Sequence, residues 1–288
     1  MKTLQMILGH NQFIGVDHRS EERAWDKSVH FSNPSRIFEV AQAASESGYK
    51  GMMIEPHPRM LDFLKLYHRH GTFKMRFYLQ VPYIQGYVQR MGQSGIKGLI
   101  WDLIIKSRPS DLFNACIRSG IGILRNEYLP LVLSGLALEV SQFKDYEIES
   151  VLLHNVATDL LLSLGLQDSL DDFIHFSHDI LGIRAGLVTV NFPLLASALS
   201  GMSSSPSVIV TPVNPAGFDM NPSKDAVERA LQAYRGEIMA MNVLGGGAFS
   251  VSESASYVRT LQRVQSVLIG ASTKEHLAEC AKSFRGEA

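Results

Sequence analysis

Two apolar runs in this chain stop on the same polar pair. "LQMILGHN" ends on His10 and Asn11, and "SVLLHN" ends on His154 and Asn155. Between them, "GMMIEPHP" carries Glu55 and His57, and "MRFYLQVPY" carries Gln80 and Tyr83. Histidine titrates near neutral pH and a partly buried glutamate can hold its proton unusually well, so this set suits acid–base chemistry at a carbonyl. His10, Glu55, His57 and His154 also have the donor types that bind a divalent ion such as zinc, iron or manganese. There is no HExxH and the groups are scattered along the chain, so spacing leaves metal-bound and metal-free versions both open. A single histidine at a strand end is more often a hydrogen-bonded structural residue than a ligand. The coincidence of these side chains at strand ends is what points to a site.

Those groups need elements to position them. Short runs rich in β-branched residues alternate with longer amphipathic stretches. The strand candidates are 3–9, 51–56, 75–81, 150–155, 186–191, 207–213, 237–243 and 264–270. Helical patterns between them begin on Ser, Pro or Asn-Pro-Ser and often end on Gly, as helix termini do. Eight strands alternating with helices over this length predict an α/β fold, a (β/α)8 TIM barrel, as one domain spanning 1–288. A doubly wound open sheet competes, but no GxGxxG follows the first strand. Residues 84–148 are long for one crossover and predict an elaborated helical segment between strands three and four. Within it, 109–145 reads as helical, and 98–105 fits a ninth strand or a buried helix equally.

In such barrels chemistry sits at the C-terminal ends of the strands. Period-two alternation aims Met53, Glu55 and His57 at the barrel axis, with Met52 and Ile54 toward the helices. Likewise Ser150, Leu152 and His154 point inward, and His10 shares a side with Met6 and Leu8. Asn11, Asn155, Asn191 and Asn242 would ring the same face as substrate-binding amides. Asn214 and Asn221 suit turns or caps. Asp17 and His18 read as a solvated loop, and His68, His70, His175, His178 and His276 fall on helices without an assigned role. Two late loops, "LGGGAFS" and "GASTKEHL", suit phosphate binding through Gly245, Gly246, Gly247, Ser272, Thr273 and Lys274. Such a pair of loops could equally be a glycine-rich turn and an ordinary helix cap.

The formal net charge is -1, which removes the electrostatic case for nucleic acid or an anionic membrane. Cys116 and Cys280 form no CxxC pair, so neither disulfides nor a zinc ribbon are indicated. The apolar start is too short and too polar for a leader or a membrane span. A cytoplasmic protein acting on a small molecule is expected, and a homo-oligomer is compatible with the composition.

The stretch "EIMAMNVLGGGAFSVSESASYVRTLQRVQSVLIGASTKEHLAECAKSF" resembles the last two strand–helix units of the aldo-keto reductases. "VLLHN" resembles their fourth strand and "RAGLVTVNFPLLASAL" their fifth. The likeness covers roughly the last 140 residues. It implies the same barrel with an elaborated third crossover. The family's reductases use an Asp, a Tyr, a Lys and a His. His154 matches the histidine, while Gln80 stands at the lysine position and "IEPHP" at the Asp-Thr-Ala run. Tyr83 is near in sequence but not at the tyrosine's position, and the phosphate-binding helix start lacks the usual Asn and Arg. Glutamine cannot supply the cation that makes a tyrosine a proton donor. The expectation is therefore a barrel that keeps the scaffold but not the tetrad, an isomerase or lyase acting on a hydroxy-carbonyl, sugar-like or phosphorylated substrate. Glu55 would be the base and His154 the acid or oxyanion donor, with His10 and His57 supporting them or binding metal. An NADPH-dependent oxidoreductase with Tyr83 or His57 as a rearranged proton donor is the alternative. A non-catalytic ligand-binding barrel is a further one.

Overall fold

A computed structural model of the chain describes residues 3–17, 20–84 and 129–286. His18, Cys116, 98–105 and most of the expected helical segment 109–145 lie outside the described residues. Eight parallel strands close into a barrel in chain order, with β8 pairing β1. They are β1 (Gln5–Leu8), β2 (Gly51–Ile54), β3 (Arg76–Val81), β4 (Ile148–Leu153), β5 (Ala185–Val188), β6 (Val208–Pro212), β7 (Ile238–Met241) and β8 (Val264–Ile269). Each lies within the run expected for it or one to two residues beyond. The open sheet is excluded because β1 is paired on both sides, to β2 and to β8.

The described helices follow capping chemistry closely. They are α1 (Glu21–His30), α2 (Pro34–Glu46), α3 (Pro58–His70), α4 (Leu129–Ser141), α5 (Asn155–Ser163), α6 (Gln167–His175), α7 (Phe192–Leu199), α8 (Lys224–Ala233), α9 (Val251–Thr260) and α10 (Lys274–Arg285). The Asn33 side chain accepts the Ser35 N–H ahead of Pro34, and Ser250 with Glu253 forms a reciprocal capping box before α9. Gly286 closes α10 in the left-handed conformation.

Alternation sorts the core into two layers. Ile7, Met53, Tyr78, Leu152, Val188, Val208, Val210 and Met239 fill the barrel interior. Met52, Ile54, Phe77, Leu79, Val151 and Leu153 point outward into the helix layer. The expected facing of β2 and β4 is therefore the observed one, and that of β1 is corrected. Ile7 faces the interior, while Met6 and Leu8 pack outward. His10 reaches the axis by another route. The strand stops at Leu8, and His10 takes a helical backbone conformation (φ -108°, ψ -13°) that starts a short 3-10 turn over Asn11–Phe13. Alternation no longer applies once the extended backbone ends.

Candidate active site at the C-terminal mouth of the barrel

The C-terminal ends of the strands enclose a cavity of about 850 Å³. Glu55, Gln80 and His154 line it from the ends of β2, β3 and β4, and His10 lines it from the turn after β1. His10, Glu55 and Gln80 are buried. His10 Nε2 lies 3.5 Å from Glu55 Oε2, while His10 Nδ1 and Glu55 Oε1 have no partner among the described residues. An unpaired buried polar atom is costly, so this pair is held against a local penalty.

His154 and His57 share one construction. Each precedes a helix, and its Nδ1 accepts an N–H of the first turn. His154 takes that of Val156 at 3.1 Å and His57 takes that of Arg59 at 3.1 Å. Accepting at Nδ1 places the proton of the neutral ring on Nε2. Burial is the main cause that lowers both histidines below the usual value of 6.5, with the Glu55 carboxylate opposing it. Both rings are thus neutral near pH 7, each offering one Nε2–H. For His154 that donor belongs to a side chain lining the cavity. His57 does not border the cavity; its ring meets Tyr83 edge-on at 5.6 Å, and Tyr83 does not border it either. The Tyr83 backbone N–H donates instead to Glu139 Oε1 at 3.0 Å.

This construction has a consequence for stability. As pH falls through 6.5 the unfolded chain takes up protons before the folded one, so the unfolded state gains. The contribution of His57 is complete above 6.5 and is lost as pH falls toward its lowered folded value. His57→Asn keeps a capping side chain and removes the titration. The drop in melting temperature between about pH 7.5 and 5.5 is expected to shrink in this variant, as read by a thermal melt at each pH. An unchanged drop would show that His57 does not contribute.

The expected metal site is corrected. Among the described residues no three His, Cys, Asp or Glu side chains converge to hold a metal ion. The physical reason lies in the caps. His57 and His154 each spend Nδ1 on a helix N-terminus, which leaves the proton of each neutral ring on Nε2, and the His57 ring packs edge-on against Tyr83.

The second side of the cavity is built by β7 and β8. Gly246, Gly247, Ser272 and Thr273 line it; Gly245 and Lys274 do not. Gly245, Gly246 and Gly247 all have positive φ (54°, 67° and 83°), which explains the run of glycines there. Thr273 caps α10 by accepting the His276 N–H. Of the four asparagines, Asn11, Asn155 and Asn242 line the cavity. Asn191 instead caps α7, accepting the Leu194 N–H at 3.3 Å, which corrects its assignment to the substrate. Asn242 braces the glycine turn, accepting the Gly246 N–H at 3.2 Å and donating to Asp219 at 3.1 Å. Asn214 closes its own turn through both polar atoms onto Phe218.

Several lining residues carried no signal in the sequence. Gln12 donates to the carbonyls of Gly9 and Ala271, tying the end of β1 to that of β8. Asp17 is nearly buried rather than solvated, with Lys27 and Arg23 against it. His276 borders the cavity from the first turn of α10. Each depends on where a loop folds back, which periodicity does not encode.

No family model matches the sequence, and no curated relative matches it. Solved structures do. A protein from Pseudomonas aeruginosa provisionally assigned as an aldo-keto reductase superposes with a TM-score of 0.56 at 14% identity, over 99% of this chain and 90% of that one. The aldose reductase of Giardia lamblia gives 0.55 at 13% identity over 98% and 87% of the two chains. That of Schistosoma japonicum gives 0.55 at 12% over 99% and 87%. The chain has the aldo-keto reductase fold. This likeness, end to end, extends the resemblance noted in the C-terminal half. It also overturns the isomerase or lyase reading. The barrels matched are described as aldo-keto or aldose reductases, and the oxidoreductase alternative is the reading that agrees with them. Among the described residues, no helix is long and apolar enough to cross a membrane.

Proposed function

We propose that this protein is an aldo-keto-reductase-like oxidoreductase that reduces a small polar aldehyde or ketone with hydride from NADPH. The observation that carries the reading is the continuity of the cavity. It runs from the polar cluster of His10, Glu55, Gln80 and His154 to the glycine turn and the start of α10. At about 850 Å³ it is far larger than a small carbonyl compound needs, so it has room for a long ligand with reacting and anionic ends.

The residues present fit such a cofactor. The backbone at Gly246 and Gly247 has no Cβ to hold a phosphate away, and the helix start at Thr273 favours negative charge. A nicotinamide dinucleotide supplies the hydride. The chain does the rest. His154 Nε2–H and the Gln80 amide donate hydrogen bonds to the carbonyl oxygen, stabilising the charge that develops there. Neutral imidazole is a poor acid, so His154 serves as this donor and not as the source of the proton. The proton that the alkoxide takes up is held at the His10 Nε2–Glu55 Oε2 contact. Tyr83 and His57 lie off the cavity and are set aside as donors. Water is excluded on the inner side by the packed barrel interior.

Titration of the purified protein with NADPH, followed by nicotinamide fluorescence, tests the reading. Saturable binding, together with NADPH oxidation that depends on an added small aldehyde, is the expected result. Failure of both NADPH and NADH to bind would overturn it.

A further inference from the structure

We propose that Arg23 and Lys27 hold a phosphate ester of the bound ligand at the mouth of the cavity. The proposal rests on the reading that a nicotinamide dinucleotide and a small carbonyl compound share this cavity. Helix α1 is an addition between β1 and the barrel helix α2, and none of its residues is buried. It does no core packing. It is pinned at the mouth by Arg59, whose guanidinium donates to Ser28 Oγ at 2.8 Å and to the Phe13 carbonyl at 3.3 Å. What α1 presents to the cavity is Arg23 and Lys27, one turn apart on the same face.

Asp17 lies beneath them, its side chain only 6% exposed. Its Oδ2 is 2.5 Å from Lys27 Nζ and 3.7 Å from Arg23 Nε. This one carboxylate lies against both cations. The Asp17 contact engages Arg23 through Nε. A guanidinium fork beside an ammonium offers several N–H donors from two directions, which suits a group with three terminal oxygens. Arg23 and Lys27 line the same cavity as Thr273 at the start of α10. A phosphate ester can arrive on either ligand, as the ribose phosphate that distinguishes NADPH from NADH or as a phosphorylated substrate.

The test uses Arg23→Gln, which keeps the Lys27–Asp17 pair. Fluorescence titrations with NADPH and NADH form one arm. KM values for glyceraldehyde 3-phosphate and glyceraldehyde form the other. A loss of at least about tenfold in NADPH affinity with NADH unchanged places the phosphate on the cofactor. A similar loss confined to the phosphorylated aldehyde places it on the substrate. If both ratios stay within about twofold of wild type, the proposal is overturned. Calorimetry with adenosine 2′,5′-bisphosphate and with glyceraldehyde 3-phosphate separates this from the reductase reading. If wild type binds neither nicotinamide, yet one of these phosphates binds and depends on Arg23, the phosphate site stands and the reductase reading fails. If neither phosphate binds wild type, the proposal falls with it.

Discussion

His154→Asn is expected to lower kcat for NADPH-dependent carbonyl reduction by about 10²–10³, with little change in stability. Asparagine can still accept a first-turn N–H, so the cap on α5 survives. What disappears is the Nε2–H that His154 brings to the cavity wall. That donor acts on charge that exists only as the carbonyl becomes an alkoxide, so kcat falls more than KM rises. The ring is kept neutral by burial and by the helix it caps, hence it donates a hydrogen bond without itself titrating near pH 7. Steady-state kinetics and a thermal melt of the same preparation check this. Activity within about threefold of wild type, with the melt unchanged, would remove His154 from the chemistry.

Phe63→Ala is expected to destabilise the protein by about 3–5 kcal/mol. Phe63 is fully buried in α3, between the barrel and the outer helix layer. Its ring meets Phe77 of β3 at 6.5 Å and Tyr67 at 6.1 Å. Truncation removes the transfer energy of the ring, these aromatic contacts and the packing of a site that the rigid strand cannot collapse into. A fall in melting temperature of roughly 10 °C follows for a chain of this size. Leu160→Ala is the control. Leu160 is exposed on α5, so its truncation should cost no more than about 0.5 kcal/mol. Equal effects at the two positions would mean that the α3–β3 layer is not the packed one.

The barrel was legible because its determinants are local. Each strand is an apolar run with β-branched residues, most described helices open on a side-chain cap, and the order of the two is the order of the fold. Alternation also located Glu55 and His154, because each stands at the end of a strand whose interior residues already declare which way they face. Where the extended backbone ends early, the same rule fails. His10 enters the cavity through a turn and not through the parity of β1, and His57 leaves it because, three residues past Ile54, it is already the N-cap of α3.

The sequence by itself determined the periodicities, the caps and the residue types that could do chemistry. Only the tertiary structure decided which of them meet. It placed Asn191 on a helix cap and Asn242 under the glycine turn, though both are asparagines after strands. It brought Asp17, Arg23 and Lys27 to the cavity from a loop and a surface helix with no distinguishing spacing. It also left His57 off the cavity that the other strand-end groups line, and among the described residues no metal-binding cluster forms. The reason is physical. Element formation depends on neighbours a few residues away, whereas a site is a set of distances between segments, fixed only when the closed barrel and its long-range packing set them all at once.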